Sequence, residues 1–232
     1  MSKGNREIMK NLFVLTMITV IAGLGLALTF NFTKDQIAEA ERQEVLKSIR
    51  YVMPKDDAGN PLFVNEPDTM SFTREITSIE TGSKKEITFY PGIDKEGNVI
   101  GFAIKTFSTQ GYAGDIGFMV GVDGDGTILD SYILSILETP GLGTKINEEL
   151  FKGQFKGKSI EAGDAITLIK DDKQNGDLDS VTGATISSRA MANVIREAAK
   201  YYFENKDDII AKVKTAESLT ADSEEVTNGG VE

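Results

Sequence analysis

The residues best suited to chemistry form a short loop of small side chains, Asp179-Ser180-Val181-Thr182-Gly183-Ala184-Thr185. The apolar periodicity that begins at Ile186 predicts a helix, so the hydroxyl of Thr185 is expected at a helix N-terminus. Free backbone N–H groups and the positive end of the helix dipole favour an anion such as phosphate there. The same pattern fits an ordinary N-cap formed by Thr185 or Ser187, and spacing alone favours that simpler interpretation.

A second segment, Glu138-Thr139-Pro140-Gly141-Leu142-Gly143, contains the residue types of a rigid turn between a strand and a helix. Its glycines permit close approach of another group to the backbone, and its proline restricts the chain. A third segment, Gly111-Tyr112-Ala113-Gly114-Asp115-Ile116, is similarly rich in small residues. Without further information, the second segment also fits an ordinary loop.

The composition restricts the chemistry that these segments can perform. The chain has no Cys and no His, which removes the usual ligands of haem, iron–sulfur clusters and zinc. Ser–His–Asp and Cys–His mechanisms are excluded for the same reason. Any redox chemistry therefore requires an organic cofactor. A formal net charge of -11 also argues against nucleic acid as a partner.

Two acidic segments resemble calcium loops only in part, and no metal site is predicted. Asp123-Gly124-Asp125-Gly126 has Leu134 at the position where an EF-hand needs Glu, which favours a hairpin turn. In the segment 171–179, Lys173 occupies a ligand position and Thr182 the Glu position. A phosphate-binding lysine loop and a dinucleotide-binding glycine motif are both missing from the sequence.

The element that precedes the soluble part is a predicted transmembrane helix over residues 11–32. Its uncharged stretch from Leu12 to Phe30 is long enough, at about 28 Å, to span the hydrocarbon core of a bilayer. Three basic residues precede it, which predicts a cytoplasmic N-terminus and a soluble domain on the other side of the inner membrane; they are Lys3, Arg6 and Lys10. The alternative is a cleaved signal peptide, for which Thr29-Phe30-Asn31-Phe32 is a poor cleavage site.

The rest of the chain predicts an α+β fold: a single N-terminal transmembrane helix followed by a curved antiparallel sheet packed with helices. The expected parts are a cytoplasmic N-terminus (1–10), the transmembrane helix (11–32), a stalk helix (33–54) and an extracytoplasmic domain (55–205). The remaining residues, 206–232, are expected to form a C-terminal helix (206–214) followed by an acidic, disordered tail. Predicted strands cover 87–90, 99–107, 116–122, 127–137 and 165–170, with a further short strand within 55–85, and predicted helices cover 143–151 and 186–203.

The loop before Ile186 has the pattern D-x-x-[S/T]-G-A-T and resembles the flavinylation motif of the FMN-binding domain family. In that family a flavin transferase moves FMN from FAD onto the final threonine, which is Thr185 here, as a phosphoester. The resemblance assigns Asp179, Thr182, Gly183 and Ala184 to the loop that the transferase recognises. Ser180 and Ser187 are further candidates for binding the phosphate. The E-T-P-G-L-G segment is similar to a flavin-contacting loop of ion-translocating flavoprotein subunits, which implies contact with flavin for Glu138, Thr139, Leu142 and Gly143.

With the segment Gly111–Ile116, its membrane helix, its stalk and its length, the chain resembles the G subunits of Rnf-type complexes over roughly residues 10–205. The resemblance implies an electron-transfer subunit of a ferredoxin:NAD oxidoreductase coupled to ion translocation, inactive alone, with covalent FMN as cofactor. Its implied partners are the other integral and peripheral subunits of the complex, and the flavin transferase during maturation. Alternatives are the C subunit of a sodium-pumping NADH:quinone reductase, a stand-alone flavinylated carrier, or a membrane-tethered binding or sensor domain without cofactor.

Overall fold

The apolar N-terminal segment lies within one uninterrupted helix, α1 (Lys3–Val52). The hydroxyls of Thr16, Thr19 and Thr29 each donate to the carbonyl four residues earlier, at 2.8–3.0 Å. These bonds satisfy the polar side chains within the helix, as a hydrocarbon environment requires. Within the part of the chain that the computed structural model describes (backbone 3–228, side chains 4 and 6–215), one helix is long and apolar enough to cross a membrane, and it is α1.

The chain divides into two compact units, Met1–Glu44 and Val45–Glu232. The described residues of the first unit, from Lys3 onward, are helical, and the apolar side chains between residues 12 and 30 are exposed. The second begins inside α1, before the predicted boundary at residue 55, because Ile49 and Val52 are buried against the sheet. The last two turns of α1 are therefore part of the core of the second unit rather than a stalk alone.

The second unit contains a five-stranded antiparallel sheet in which each strand pairs with the next along the chain. Its strands are β1 (Phe72–Thr77), β2 (Lys84–Ile93), β3 (Val99–Ser108), β4 (Ile116–Asp123) and β5 (Ile128–Ser135). The turn between β4 and β5 closes on Asp123, whose Oδ1 accepts the N–H groups of Asp125 and Thr127 at 2.9 and 2.8 Å. This is the turn that the sequence favours over a calcium loop.

The sheet is covered on both faces. Side chains of β4 alternate, so Phe118, Val120 and Val122 face one hydrophobic cluster and Met119 faces the other. The first cluster packs against α3 (Thr185–Asn228), whose Tyr202 is fully buried and donates its hydroxyl to the Gly124 carbonyl at 3.0 Å. The end of α1 covers the other face. Both the α+β class and the antiparallel sheet are as predicted.

The predicted strand at 165–170 is wrong. Ile166 has a positive φ of 48°, and the N–H of Thr167 donates to the Asp177 carboxylate at 3.0 Å instead of to a strand. The segment makes a single bridge, between Leu168 and Leu178, so residues 165–178 form a loop whose two ends pair with each other. Buried apolar side chains at Ile166 and Leu168 gave it the pattern of a strand without the backbone pairing.

The helical segments also differ in their limits. The predicted helix at 143–151 is a 3-10 helix (Gly143–Asn147) and α2 (Glu149–Lys152), separated by the extended residue Glu148. The predicted helix at 206–214 is continuous with α3, which runs on to Asn228 through the segment expected to be a disordered tail. That segment contains Ala, Leu and Glu, which favour helix even where the composition is acidic. Residues 229–232 of the tail lie outside the described residues.

Candidate functional site

Three loops from different parts of the second unit line a pocket of about 470 Å³. They are the loop after β3, the turn after β5 and the loop that enters α3. The lining residues are Tyr112, Glu138, Thr139, Leu142, Gly143, Gly183, Ala184, Thr185, Ile186 and Ser187. The structure therefore brings the segment 138–143 together with Gly183, Ala184 and Thr185, the last three residues of the loop 179–185, which we call the threonine loop. Tyr112 and Ile186 join the lining without having been singled out as site residues.

Glu138 joins two of these loops. The residue is 5% exposed, and its Oε1 accepts the N–H groups of Tyr112 at 2.6 Å and Ala113 at 3.4 Å. Gly143 lies against the same side chain, because a Cβ there would be 2.4 Å from Glu138 Oε2. The carboxylate thus fixes the loop after β3 to the turn after β5.

The turn after β5 is closed by its own backbone. Leu142 donates its N–H to the Thr139 carbonyl at 3.1 Å, and Gly141 donates to Thr144 Oγ1 at 3.0 Å. Gly141 has a φ of 74°, a conformation that glycine adopts without strain. Leu142 is 42% exposed at the wall of the pocket, where it meets Gly183 of the third loop.

The threonine loop is closed by Ser188 rather than by Thr185. The Ser188 hydroxyl accepts the N–H of Val181 at 3.1 Å and donates to the Ala184 carbonyl at 2.9 Å. Thr185 is the first residue of α3, and its Oγ1 accepts a hydrogen bond from Lys170 Nζ at 3.1 Å. The hydroxyl of Thr185 therefore faces a cation at the pocket wall, where the capping interpretation expected it to accept a backbone N–H.

Asp179, Ser180 and Thr182 line a neighbouring pocket of about 510 Å³ instead of the first one. The Gln154 side chain holds the backbone of Asp179, because it accepts the Asp179 N–H at 2.7 Å and donates to the Asp179 carbonyl at 3.2 Å. Sequence reasoning missed Gln154, since it lies twenty-five positions earlier in the chain. A role in cofactor binding for the three loop residues stays a prediction.

Arg189, the fifth residue of α3, forms an ion pair with Asp171 of the loop that contains Lys170. Arg189 donates from Nε and Nη2 to the two carboxylate oxygens of Asp171 at 2.6 and 2.5 Å. The hydrogen bond from Arg189 lowers the pKa of Asp171, so the pair stays ionised over the physiological pH range. It ties the loop that contains Lys170 to the start of the helix.

A buried polar cluster holds the end of β3, directly before the loop of Tyr112. Ser108 donates to the Glu80 carboxylate at 2.8–2.9 Å and accepts the N–H of Gln110 at 3.0 Å. Next to it, the buried Lys85 and Glu197 form an ion pair. Burial raises the pKa of Glu80, and its hydrogen bond from Ser108 opposes that shift.

Comparison with known proteins assigns the family. Residues 111–200, which contain all the residues that line the first pocket, match the family described as FMN-binding domain. Over 208 residues the chain is 31% identical to the G subunit of the ion-translocating oxidoreductase complex of Aliivibrio fischeri (strain ATCC 700601 / ES114), covering 86% of this chain and 92% of that protein. The chain belongs to the family of G subunits of ion-translocating oxidoreductase complexes. This membership confirms the resemblance drawn from the motifs.

Other members of this G-subunit family are similarly related to the chain. The protein from Vibrio atlanticus (strain LGP32) is 33% identical over 208 residues, covering 88% of this chain and 95% of that protein. The protein from Vibrio parahaemolyticus serotype O3:K6 (strain RIMD 2210633) is 34% identical over 188 residues, covering 80% and 85%. Among solved structures, the crystal structure of Shewanella oneidensis NqrC aligns with a TM-score of 0.41 at 20% identity, covering 66% of this chain and 72% of that one.

Proposed function

We propose that this chain is the electron-transfer subunit of a membrane-bound, Rnf-type ion-translocating ferredoxin:NAD oxidoreductase and that it holds FMN covalently on Thr185. One observation carries the assignment of the site. Thr185, the last residue of the D-x-x-[S/T]-G-A-T loop, is the first residue of the long helix α3 and lines the pocket, and its hydroxyl accepts a hydrogen bond from the ammonium group of Lys170.

The pocket fits a bound flavin by size and by lining. Its volume of about 470 Å³ lies within the range of about 300–1,000 Å³ that is typical of small-molecule sites. Leu142, Ile186 and Tyr112 contribute apolar surface, and all three side chains are exposed. Gly143 and Gly183 let the walls approach closely, since a Cβ at either position would lie within 3 Å of a neighbouring side chain.

Attachment requires Thr185 to act as the acceptor in a group transfer. Its Oγ would form a bond to the phosphorus of the FMN half of FAD while the bond from that phosphorus to the bridging oxygen would break. AMP would leave with the bridging oxygen, and the hydroxyl proton would pass to a base of the flavin transferase or to water. The start of α3 favours the resulting phosphodiester, because its free N–H groups and dipole stabilise negative charge.

Once attached, FMN supplies the ability to accept and release one or two electrons, which this chain lacks on its own because it has no Cys or His. The protein's own residues position the group. Glu138 holds two pocket loops together through its hydrogen bonds to Tyr112 and Ala113. Covalent attachment prevents loss of the cofactor outside the cytoplasm and keeps it at a fixed distance from the neighbouring subunits.

Membrane attachment follows from α1, whose basic residues before the apolar segment favour a cytoplasmic N-terminus and an extracytoplasmic flavin domain. The proposed partners are the integral and peripheral subunits of the same complex, and the transferase during maturation. Electron transfer then takes place within the assembled complex rather than in the isolated chain.

Substitution of the acceptor tests the proposal directly. We expect Thr185→Val to remove the FMN adduct from the intact mass, and the flavin fluorescence from the band in a denaturing gel, after co-expression with the transferase. Thr77→Val is the control, because Thr77 is an exposed residue at the end of β1 outside both pockets. A Thr185→Val protein that still carries FMN covalently, or wild-type protein without an adduct, would refute the proposal.

A further inference from the structure

Lys170 lies outside the flavinylation motif, yet its ammonium group contacts the acceptor hydroxyl. Nζ donates to Thr185 Oγ1 at 3.1 Å across fifteen positions of sequence. The sequence places Lys170 at the end of a predicted strand, with nothing to connect it to the motif. Only the fold of the 165–178 loop brings the two side chains together.

The backbone around Lys170 is held on both sides. Ile169 donates its N–H to the Leu178 carbonyl at 2.9 Å, and Asp171 donates its N–H to the Leu168 carbonyl at 2.9 Å. The Asp171 carboxylate accepts hydrogen bonds from Nε and Nη2 of Arg189, the fifth residue of α3. Lys170 is therefore presented to the helix start by an ordered loop, although its own side chain is exposed.

Three charged side chains lie near Thr185, and two of them, Arg189 and Asp171, form an ion pair with each other. Arg189 is paired with Asp171, so its charge is largely compensated. A phosphodiester on Thr185 would add one negative charge at neutral pH at the position that Lys170 faces. A charge-assisted hydrogen bond from an ammonium to a phosphate oxygen is shorter and stronger than one between neutral groups.

From this geometry we infer that Lys170 is the positioning residue that holds the phosphodiester at Thr185 and stabilises it as it forms. The inference rests on the proposed attachment of FMN to Thr185. Since Lys170 is exposed, the contribution is that of a solvent-screened ion pair and decreases as salt is added. The role depends on the positive charge, so arginine at the same position retains part of it while glutamine does not.

The test uses the full chain in detergent with the flavin transferase and FAD, and compares wild type with Lys170→Gln, Lys170→Arg and the control Lys173→Gln. Lys173 is an exposed lysine of the same loop that lines neither pocket. Intact mass followed over time gives the rate of FMN attachment. The ³¹P chemical shift of the attached phosphodiester reports the contact itself, independently of electron transfer.

We expect Lys170→Gln to move the ³¹P shift and to slow attachment about two- to fivefold at low salt, the size expected of an exposed ion pair. The difference in rate should shrink at high salt, Lys170→Arg should fall between wild type and Lys170→Gln, and Lys173→Gln should match wild type. A ³¹P shift that Lys170→Gln leaves unchanged overturns the positioning role, even if attachment slows, because the slowing would then reflect recognition by the transferase. Wild-type protein that gains no FMN overturns the proposed function itself. If wild type gains FMN and Lys170→Gln has the same attachment rate and the same ³¹P shift, only the role of Lys170 is overturned.

Discussion

Glu138 and Gly143 show how the pocket depends on the fit of two neighbouring residues. The resemblance assigns both to flavin contact, and both line the pocket. The structure adds that the Glu138 carboxylate accepts two backbone N–H groups of the loop after β3. A residue other than glycine at 143 would meet this side chain along its length, at 2.4 Å from Oε2 and 2.8 Å from Cβ. Glu138 therefore shapes the pocket by joining the turn after β5 to the loop after β3.

We expect Gly143→Ala to destabilise the protein by about 1–3 kcal/mol, the usual cost of forcing extra atoms into a packed site. FMN incorporation should fall with it, because the displaced Glu138 releases the loop of Tyr112. Urea unfolding and intact mass measure the two effects. Gly153→Ala is the matched control, since Gly153 has helical angles and a Cβ added there would lie 3.2 Å from its nearest neighbour, the flexible end of Glu149. Equal stability of the two variants would contradict this account of Gly143.

Among the elements, the end of α1 and strand β4 make an unusually close contact. A Cβ on Gly121 would lie 2.1 Å from the Val52 carbonyl oxygen and 2.8 Å from Val52 Cβ. The helix can rest on this face of the sheet only because β4 has a glycine there. Ile49 and Met53 belong to the second hydrophobic cluster together with Val52. A predicted stalk thereby becomes a structural part of the sheet domain.

Gly121→Ala is expected to push the end of α1 away from β4 and to lower the free energy of unfolding by about 1–3 kcal/mol, because backbone atoms cannot rotate aside as a flexible side chain can. Thermal and urea unfolding of the full chain in detergent measure the change. Gly124→Ala serves as the control, since a Cβ in that turn would meet only the Val99 carbonyl at 3.6 Å. A Gly121→Ala protein as stable as the control would show that the contact is not required.

At the scale of the whole molecule, the candidate site and the apolar segment belong to different compact units. All the pocket residues lie in Val45–Glu232, whereas the apolar segment lies in Met1–Glu44. The side of the membrane on which the flavin domain lies therefore depends on the charges that flank α1 and not on the pocket. Lys3, Arg6 and Lys10 precede the apolar segment, with Glu7 as the single acidic residue among them.

We expect alkaline phosphatase fused after Glu232 to be active in cells, because the enzyme folds only outside the cytoplasm. The same enzyme fused directly after Lys10, before the apolar segment, should be inactive and provides the control. Replacing Lys3, Arg6 and Lys10 with glutamine should reduce the activity of the full-length fusion by removing the charge bias. An inactive full-length fusion would place the flavin domain in the cytoplasm.

Features that depend on neighbours along the chain could be predicted from the residues alone. The strands from β2 to β5, α1 and the part of α3 before residue 215 follow from local periodicity and turn residues, and the D-x-x-[S/T]-G-A-T loop is contiguous. The family could be recognised for the same reason. The predicted strand at 165–170 failed because alternating buried residues do not reveal that Asp177 takes the N–H of Thr167.

The contacts between distant residues could not be predicted in this way, because they depend on packing in three dimensions. Glu138 reaches Tyr112 across twenty-six positions, and Lys170 reaches Thr185 across fifteen. Neither pair follows a helical or strand period, since both depend on how loops from separate elements pack around the pocket. The same holds for the division of the motif, in which Asp179 and Thr182 line one pocket and Thr185 lines the other. The local sequence pattern indicates Thr185 as the acceptor, but the side chains that surround it, such as Lys170, are determined by tertiary packing.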